Sequence, residues 1–338
     1  MKKITILAAV VLFFMGSCPA WADSTVESFT KFGGFKGSGA YEGTVTSRLQ
    51  GDRKSETSSI KFTGAIMSWL SGGGETGTIT RLDKGLIWTL DPKKKTYREE
   101  PITPFRKEEA RKQADEAREK PAVRVTKSEF SVKKTGASET INGFPCEEYL
   151  ITWVLEFEDL ETKARTRNTM TTNQWTTPET PSIRKLQAEE MAFTKAYLKK
   201  IGLELSGQEM KQFGLDMFST MSGASKAEME KQFKSFKKEM AKLKGYPIRT
   251  VVSWAVEGDQ TPEKDSRQAQ ESRPAINPFG GLGGLLSSVT GAAADSAKDK
   301  VASGANAPFF SSSIEVKSIR TDAVPGDAFE VPAGFTKE

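Results

Sequence analysis

The residue types that most often carry catalysis or bind metals are scarce in this sequence of 338 residues. It contains no histidine, so it lacks the usual general base, the Ser-His and Cys-His nucleophile pairs, and the commonest ligand of zinc and copper. Adjacent carboxylates such as Glu147 and Glu148 would point to opposite faces of a strand and could not act on one substrate. These observations favour a protein that is not an enzyme and that uses no cofactor and no metal.

A second group of residues is suited to binding an apolar ligand. Residues 145–157 alternate in character, which places five large apolar side chains on one face of a predicted strand. The helical region that follows carries six of the ten methionines, and flexible thioethers adapt to varied apolar shapes. The candidate ligand-binding residues are Trp88, Tyr149, Ile151, Trp153, Leu155, Phe157, Met210, Phe213, Met217, Phe233, Phe236 and Trp254. Ordinary packing of a helical layer on the same sheet would need the same residues, so both interpretations stay open.

The elements that must position these residues are mainly strands, interrupted by a helical insert. Alternating apolar and polar residues predict strands in four ranges, which are 39–92, 145–175, 246–256 and 313–321. A 3.6-residue period and two capping boxes predict three amphipathic helices within an insert at 182–243. Residues 258–310 are rich in Pro, Ser, Gly and Ala, which is typical of a flexible insert. Because a strand pattern resumes afterwards, we expect residues 23–338 to form one domain with two insertions.

The N-terminal 22 residues have the three parts of a secretory signal peptide. Two lysines follow Met1, an apolar run extends over residues 4–15, and Ala20-Trp21-Ala22 supplies small residues at the positions that signal peptidase reads. We therefore expect cleavage after Ala22 and a periplasmic location. A less favoured alternative is lipidation at Cys18, within a degenerate lipobox, which would tether the chain to a membrane. No other stretch reaches the roughly 18 apolar residues of a membrane span.

Export also bears on the cysteines and on the net charge. Cleavage would remove Cys18 and leave Cys146 as a single thiol, which its apolar strand context predicts to be buried. The charge is 49 − 44 = +5 for the whole chain, and loss of Lys2 and Lys3 would leave +3. This is too little to indicate a nucleic-acid partner. The basic cluster at 93–95 is expected to be a solvated turn, with weak contact to an anionic membrane surface as the alternative.

Four short motifs carry a family resemblance. They are RLDKGLIWTLDPKKKTY at 81–97, INGFPCEEY at 141–149, GYPI at 245–248 and VPAGF at 331–335. Their content and order resemble the LolA/LolB-like lipoprotein-carrier superfamily, in particular a branch of secreted bacterial envelope proteins. The resemblance covers about residues 40–175 and 245–335. It implies an α+β fold in which an incomplete antiparallel β-barrel, a curved sheet, surrounds a hydrophobic cavity beneath a helical lid.

The expected function follows from the apolar candidates and from this resemblance together. Carriers of that fold hold the acyl chains of lipoproteins, and related sensor domains bind envelope lipids or mislocalised proteins. We therefore expect a periplasmic protein that binds or carries a hydrophobic ligand, a lipid or an acyl chain. The alternative is an envelope sensor or scaffold without lipid cargo, which would contact its partner through the insert at 258–310 or a charged helix at 105–120.

Overall fold

Strands dominate the architecture. The computed structural model describes residues 23–35, 39–63, 73–105, 123–203, 234–258 and 308–338. The strands are β1 (Asp23–Phe35), β2 (Tyr41–Gln50), β3 (Arg53–Phe62), β4 (Gly74–Arg81), β5 (Leu86–Asp91), β6 (Thr96–Pro101), β7 (Val123–Ile141), β8 (Phe144–Asp159), β9 (Arg165–Thr177), β10 (Tyr246–Gly258), β11 (Phe310–Arg320) and β12 (Thr336–Lys337). Helix α1 spans Pro181–Lys200, residues 234–240 are also helical, and a short 3-10 helix spans Gly326–Phe329.

All twelve strands of the described ranges belong to one open, curved sheet. Their order is β12-β6-β5-β4-β3-β2-β1-β11-β10-β9-β8-β7, so β12 and β7 form the two ends. Every pairing is antiparallel except that of β12 with β6. The first strand pairs with β11 from the C-terminal part of the chain, which joins an N-terminal and a C-terminal run of hairpins into one surface. This confirms an α+β fold with an open, barrel-like antiparallel sheet.

Helix α1 forms where the sequence supplies signals for both of its ends. The side chain of Thr180 caps the first turn by accepting a hydrogen bond from the amide of Ile183 at 3.2 Å. Pro181 occupies the first turn, where no amide donor is required, and Gly202 just beyond the helix has a φ of 71°. The helix buries one stripe against the sheet, with Phe193 beside Leu49 and Leu82. We call the side of the sheet that carries Leu49 and α1 the helix-bearing face.

The opposite face is covered at one end by the C-terminal segment. Phe329 of the 3-10 helix is fully buried and packs with Val324 against Ile79 and Trp88 of β4 and β5. Arg81, itself buried, donates to Glu330 and makes two hydrogen bonds to Asp83 at 2.7 and 2.9 Å.

The Arg81 bonds hold the C-terminal segment over the apolar side chains of β4 and β5. The apolar residues of this end therefore serve the packing of the chain's own C-terminus.

Several local predictions are confirmed, and others concern residues that the structure does not describe. The hairpin at 78–90 forms as β4 and β5, and Asn142-Gly143 makes the two-residue turn between β7 and β8, both residues having positive φ. The first predicted helix of the insert is α1, and 234–240 belongs to the third. The predicted signal peptide, the second helix, nearly all of the charged helix at 105–120 and nearly all of the insert at 258–310 lie outside the described residues.

Candidate functional site

One large apolar side chain from each of eight consecutive strands lies on the helix-bearing face. The strands run from β3 to β7 in the order of the sheet, and cross-strand partners share a face, so these residues fall in two neighbouring rows. We define the aromatic band as these eight residues. In order across the sheet they are Phe62, Tyr41, Phe32, Phe310, Trp254, Met170, Trp153 and Phe130.

Ring contacts join the two rows of the band. Phe32 stacks on Tyr41 with 5.1 Å between ring centroids, and Tyr41 meets Phe62 edge-on at 6.2 Å. Phe32 also meets Phe310 edge-on at 5.3 Å, which links the aromatic residues of β3, β2 and β1 to those that begin on β11. These distances lie in the range that favours aromatic pairs, so the part of the band from β3 to β11 is a continuous aromatic surface.

Both indole N–H groups of the band donate to uncharged acceptors. The indole N–H of Trp254 donates to Oδ1 of Asn168 at 3.1 Å, and that of Trp153 donates to Oγ of Ser128 at 3.3 Å. Burial raises the pKa of the Tyr41 hydroxyl, which keeps it neutral at any physiological pH. An apolar molecule placed against these two indoles would therefore meet N–H groups that already have neutral acceptors.

Helical residues contact the helix-bearing face at two places, one of which adjoins the band. Phe236, on the helical residues 234–240, lies 4.5 Å from Phe130 between ring centroids. The carboxylate of Glu239 accepts a hydrogen bond from the amide of Val132 at 2.9 Å, and a hydrogen bond from Lys242 is the main cause of its lowered pKa. This contact satisfies a backbone donor of β7, the terminal strand of the sheet. Helix α1 covers the same face near Leu49, as described above.

Most of the band is half-buried, and exposed apolar surface adjoins it. Phe310 is buried, whereas the other seven residues are intermediate. Ile314 of β11 lies on the same face, one row from Phe32, with 44% of its surface exposed. Half-buried aromatic side chains beside an exposed Ile form the kind of surface that binds apolar partners.

The structure brings together most of the described candidates. Trp153 and Trp254 belong to the aromatic band, and Phe236 contacts it through Phe130. On the same face of β8 lie the remaining four strand candidates, which are Tyr149, Ile151, Leu155 and Phe157. Tyr149 is buried and the other three are half-buried.

The other five candidate residues are not placed on this surface. Trp88 lies on the opposite face, because its cross-strand partner Ile79 pairs with Ser55, whose neighbour Lys54 shares the face of Leu49. It packs beneath the C-terminal segment and does not line the surface formed by the others. The remaining candidates, Met210, Phe213, Met217 and Phe233, lie outside the described residues.

Six residues of the band were absent from the candidates found in the sequence. They are Phe62, Tyr41, Phe32, Phe310, Met170 and Phe130. Tyr41 was recognised as a strand residue, but β1 and β7 were not predicted as strands, so Phe32 and Phe130 had no assigned face. Phe32 had little local signal, because the face that it shares on β1 with Val26 also carries the polar Ser28 and Thr30.

Other classes of site receive no support from the described ranges. In them, no three His, Cys, Asp or Glu side chains lie close enough to hold a metal ion. No described helix combines the length and the apolar character needed to cross a membrane. Neither the comparison with protein-family models nor the search of curated proteins gave a match for this chain.

Proposed function

We propose that this protein binds a hydrophobic ligand, a lipid or an acyl chain, against the aromatic band. The observation that carries the proposal is the continuity of the band across eight strands on one face of the sheet. With neighbouring strands about 4.8 Å apart, seven spacings give a surface roughly 30 Å long. An extended acyl chain fits within that length, and its methylene groups would replace water against the rings.

The helical residues on this face would act as a lid. Residues 234–240 contact the band at Phe130, whereas α1 covers the same face beside Leu49, at the end of β2 away from Tyr41. An acyl chain inserted between residues 234–240 and the band would bury apolar surface on both sides, at roughly 25 cal/mol for each Å² removed from water. The signal-peptide pattern in residues 1–22 supports a periplasmic site of action, and the resemblance to lipoprotein carriers supports a carrier-like role.

Binding of a fluorescent fatty-acyl probe to the purified, delipidated protein tests this proposal. Saturable binding is expected, and native mass spectrometry of protein that has not been delipidated should show bound lipid. Absence of both would refute a lipid-binding function.

A pair of variants locates the binding surface. Ile314 and Val251 are exposed on adjacent strands, but they lie on opposite faces of the sheet. Ile314→Glu would place a charge beside the aromatic band, and we expect it to weaken probe binding by about tenfold or more, because a carboxylate resists burial under an apolar chain. Val251→Glu makes the same substitution on the other face and should leave the affinity unchanged. Equal losses in the two variants would argue against the band as the binding surface.

A further inference from the structure

The start of β1 is buried to an unusual degree for the first residues of a mature chain. Asp23 is 6% exposed and Ser24 is 1% exposed. One carboxylate oxygen of Asp23 accepts hydrogen bonds from the side chain of Gln50 at 2.9 Å and from the amide of Val324 at 2.7 Å. The other oxygen, Oδ1, is buried without a hydrogen-bond partner among the described residues.

A second buried carboxylate, that of Glu189, faces this strand from α1. Its side chain is 9% exposed, and neither oxygen has a hydrogen-bond partner in the described part of the chain. Lys185 lies 4.0 Å from it, and the ammonium group of Lys185 already donates to the carbonyl of Thr321 at 3.0 Å. Burial is the main cause of the raised pKa of Glu189, and the charge of Asp23 raises it further. The nearby hydroxyl of Ser24, itself buried without a partner of hydrogen-bond geometry, and Lys185 lower it.

A cation close to these buried carboxylates would stabilise them. A buried carboxylate without a close partner is costly, and placing a second carboxylate nearby increases the cost. An ammonium group next to Ser24 would give Glu189 the N–H donors that it lacks. Such a group is absent while residue 23 is joined to residue 22 by a neutral amide.

The expected processing of the chain supplies a group of this kind. The motif Ala20-Trp21-Ala22 predicts cleavage immediately before Asp23. Cleavage turns the backbone nitrogen of Asp23 into an ammonium group. This group is next to Ser24, whose hydroxyl lies near Glu189. We propose that cleavage after Ala22 pairs the new α-ammonium group of Asp23 with the carboxylate of Glu189.

This ion pair would couple export to the final fold. Glu189 lies on α1, one of the helical elements on the face of the aromatic band, whereas Asp23 begins a central strand of the sheet. The precursor lacks the pair, so α1 is held less firmly until the signal peptide has been removed. The inference rests on the predicted cleavage site and does not depend on the identity of the ligand.

A double-mutant cycle on the exported protein tests the pairing. The full-length precursor is expressed in a bacterial host with export, and the intact mass of the product should correspond to a chain that begins at Asp23. Insertion of Gly-Ser between Ala22 and Asp23 moves the ammonium group away after cleavage. We expect this insertion to lower the folding equilibrium constant by about tenfold, the equivalent of one pKa unit at the α-amino group. In the Glu189→Gln background the same insertion should cost less than about twofold.

The double-mutant cycle has a control in which a different carboxylate is changed. Glu179→Gln changes an exposed carboxylate just before the same helix and should preserve the full effect of the insertion. An equal effect in the Glu189 and Glu189→Gln backgrounds would overturn the proposal, as would an exported chain that begins anywhere other than Asp23.

A second measurement is available if Glu189→Gln does not fold. The α-amine of the folded, processed protein should react with an acylating reagent at least about tenfold more slowly than that of the denatured protein, because pairing keeps it protonated. Equal reaction rates would also overturn the pairing.

Discussion

The ionised carboxylate of Glu315 stabilises the folded protein, and its removal should lower the free energy of unfolding. It lies on β11, on the face opposite the aromatic band, and its side chain is 20% exposed. It accepts hydrogen bonds from Lys317 at 2.5 Å, from the Asn142 side chain at 3.0 Å and from Nε of Arg249 at 2.7 Å. Burial alone would raise its pKa, but these three bonds outweigh burial and lower the pKa to about 2.

The lowered pKa sets the size and the sign of the effect. A shift from the ordinary value of 4.5 to about 2 corresponds to about 3 kcal/mol, at 1.36 kcal/mol for each pKa unit. Because the pKa of Glu315 is lower in the folded chain than in the unfolded chain, this stability is present above pH 4.5 and is lost as the pH falls toward 2. Glu315→Gln keeps the shape of the side chain and removes the charge. We expect it to lower the free energy of unfolding by about 2–3 kcal/mol at pH 7.

Equilibrium unfolding in urea at pH 7, 4 and 2.5 measures this difference. The gap between Glu315→Gln and the parent protein should shrink as the pH falls, because the parent loses its carboxylate as well. Glu147→Gln is the matched control, since Glu147 pairs with Lys134 at 2.8 Å but both side chains are about half exposed. It should cost less than about 1 kcal/mol. A loss no larger than that of the control, or a loss that persists at low pH, would refute the reasoning.

Three further substitutions or treatments test the fold at separate places. Phe329→Ala should lower the free energy of unfolding by about 3–5 kcal/mol in a denaturant titration, because Phe329 of the C-terminal segment is fully buried against β4 and β5; a loss below about 1 kcal/mol would contradict its place in that core. Gly245→Ala should cost more than Gly143→Ala in the same assay, because both glycines have a φ near 85° but only the new Cβ of the first would lie 2.4 Å from the Thr177 carbonyl; equal losses would mean that strain alone matters. The Cys146 thiol, buried and with a pKa raised mainly by burial, should react with a maleimide only when the protein is unfolded, and rapid labelling of the native protein would contradict its burial.

The sequence predicted best where alternation and turn residues agreed. On β8 the alternation placed Tyr149, Trp153 and Phe157 on one face, and the register of β7, β8 and β9 confirms it. The Asn142-Gly143 turn was equally clear, because only residues that tolerate positive φ form a two-residue hairpin loop of this kind. Local chemistry decides both features, so local patterns were sufficient to predict them.

The missing strands had weaker local signals. Every residue from Lys133 to Thr140 of β7 is exposed, since this strand ends the sheet and has little apolar surface to bury there. On β1 the apolar residues are few, and the strand is fixed by pairing with β2 on one side and with β11, nearly 300 residues away, on the other. Pairing between segments so far apart depends on the whole chain, so the pattern within one segment does not predict it.

The position of Trp88 shows why residue type alone does not select a binding surface. Trp88 and Trp153 are both tryptophans in predicted strands of alternating character, so the sequence gives no reason to place them on different surfaces. The structure separates them because the C-terminal segment returns across β4 and β5 and places Phe329 over Trp88, whereas Trp153 lies in the row of Trp254 on the helix-bearing face. One face at one end of the sheet is therefore closed by the chain's own C-terminus. The aromatic band lies on the other face, outside this closed end, and is the surface on which we propose that a ligand binds.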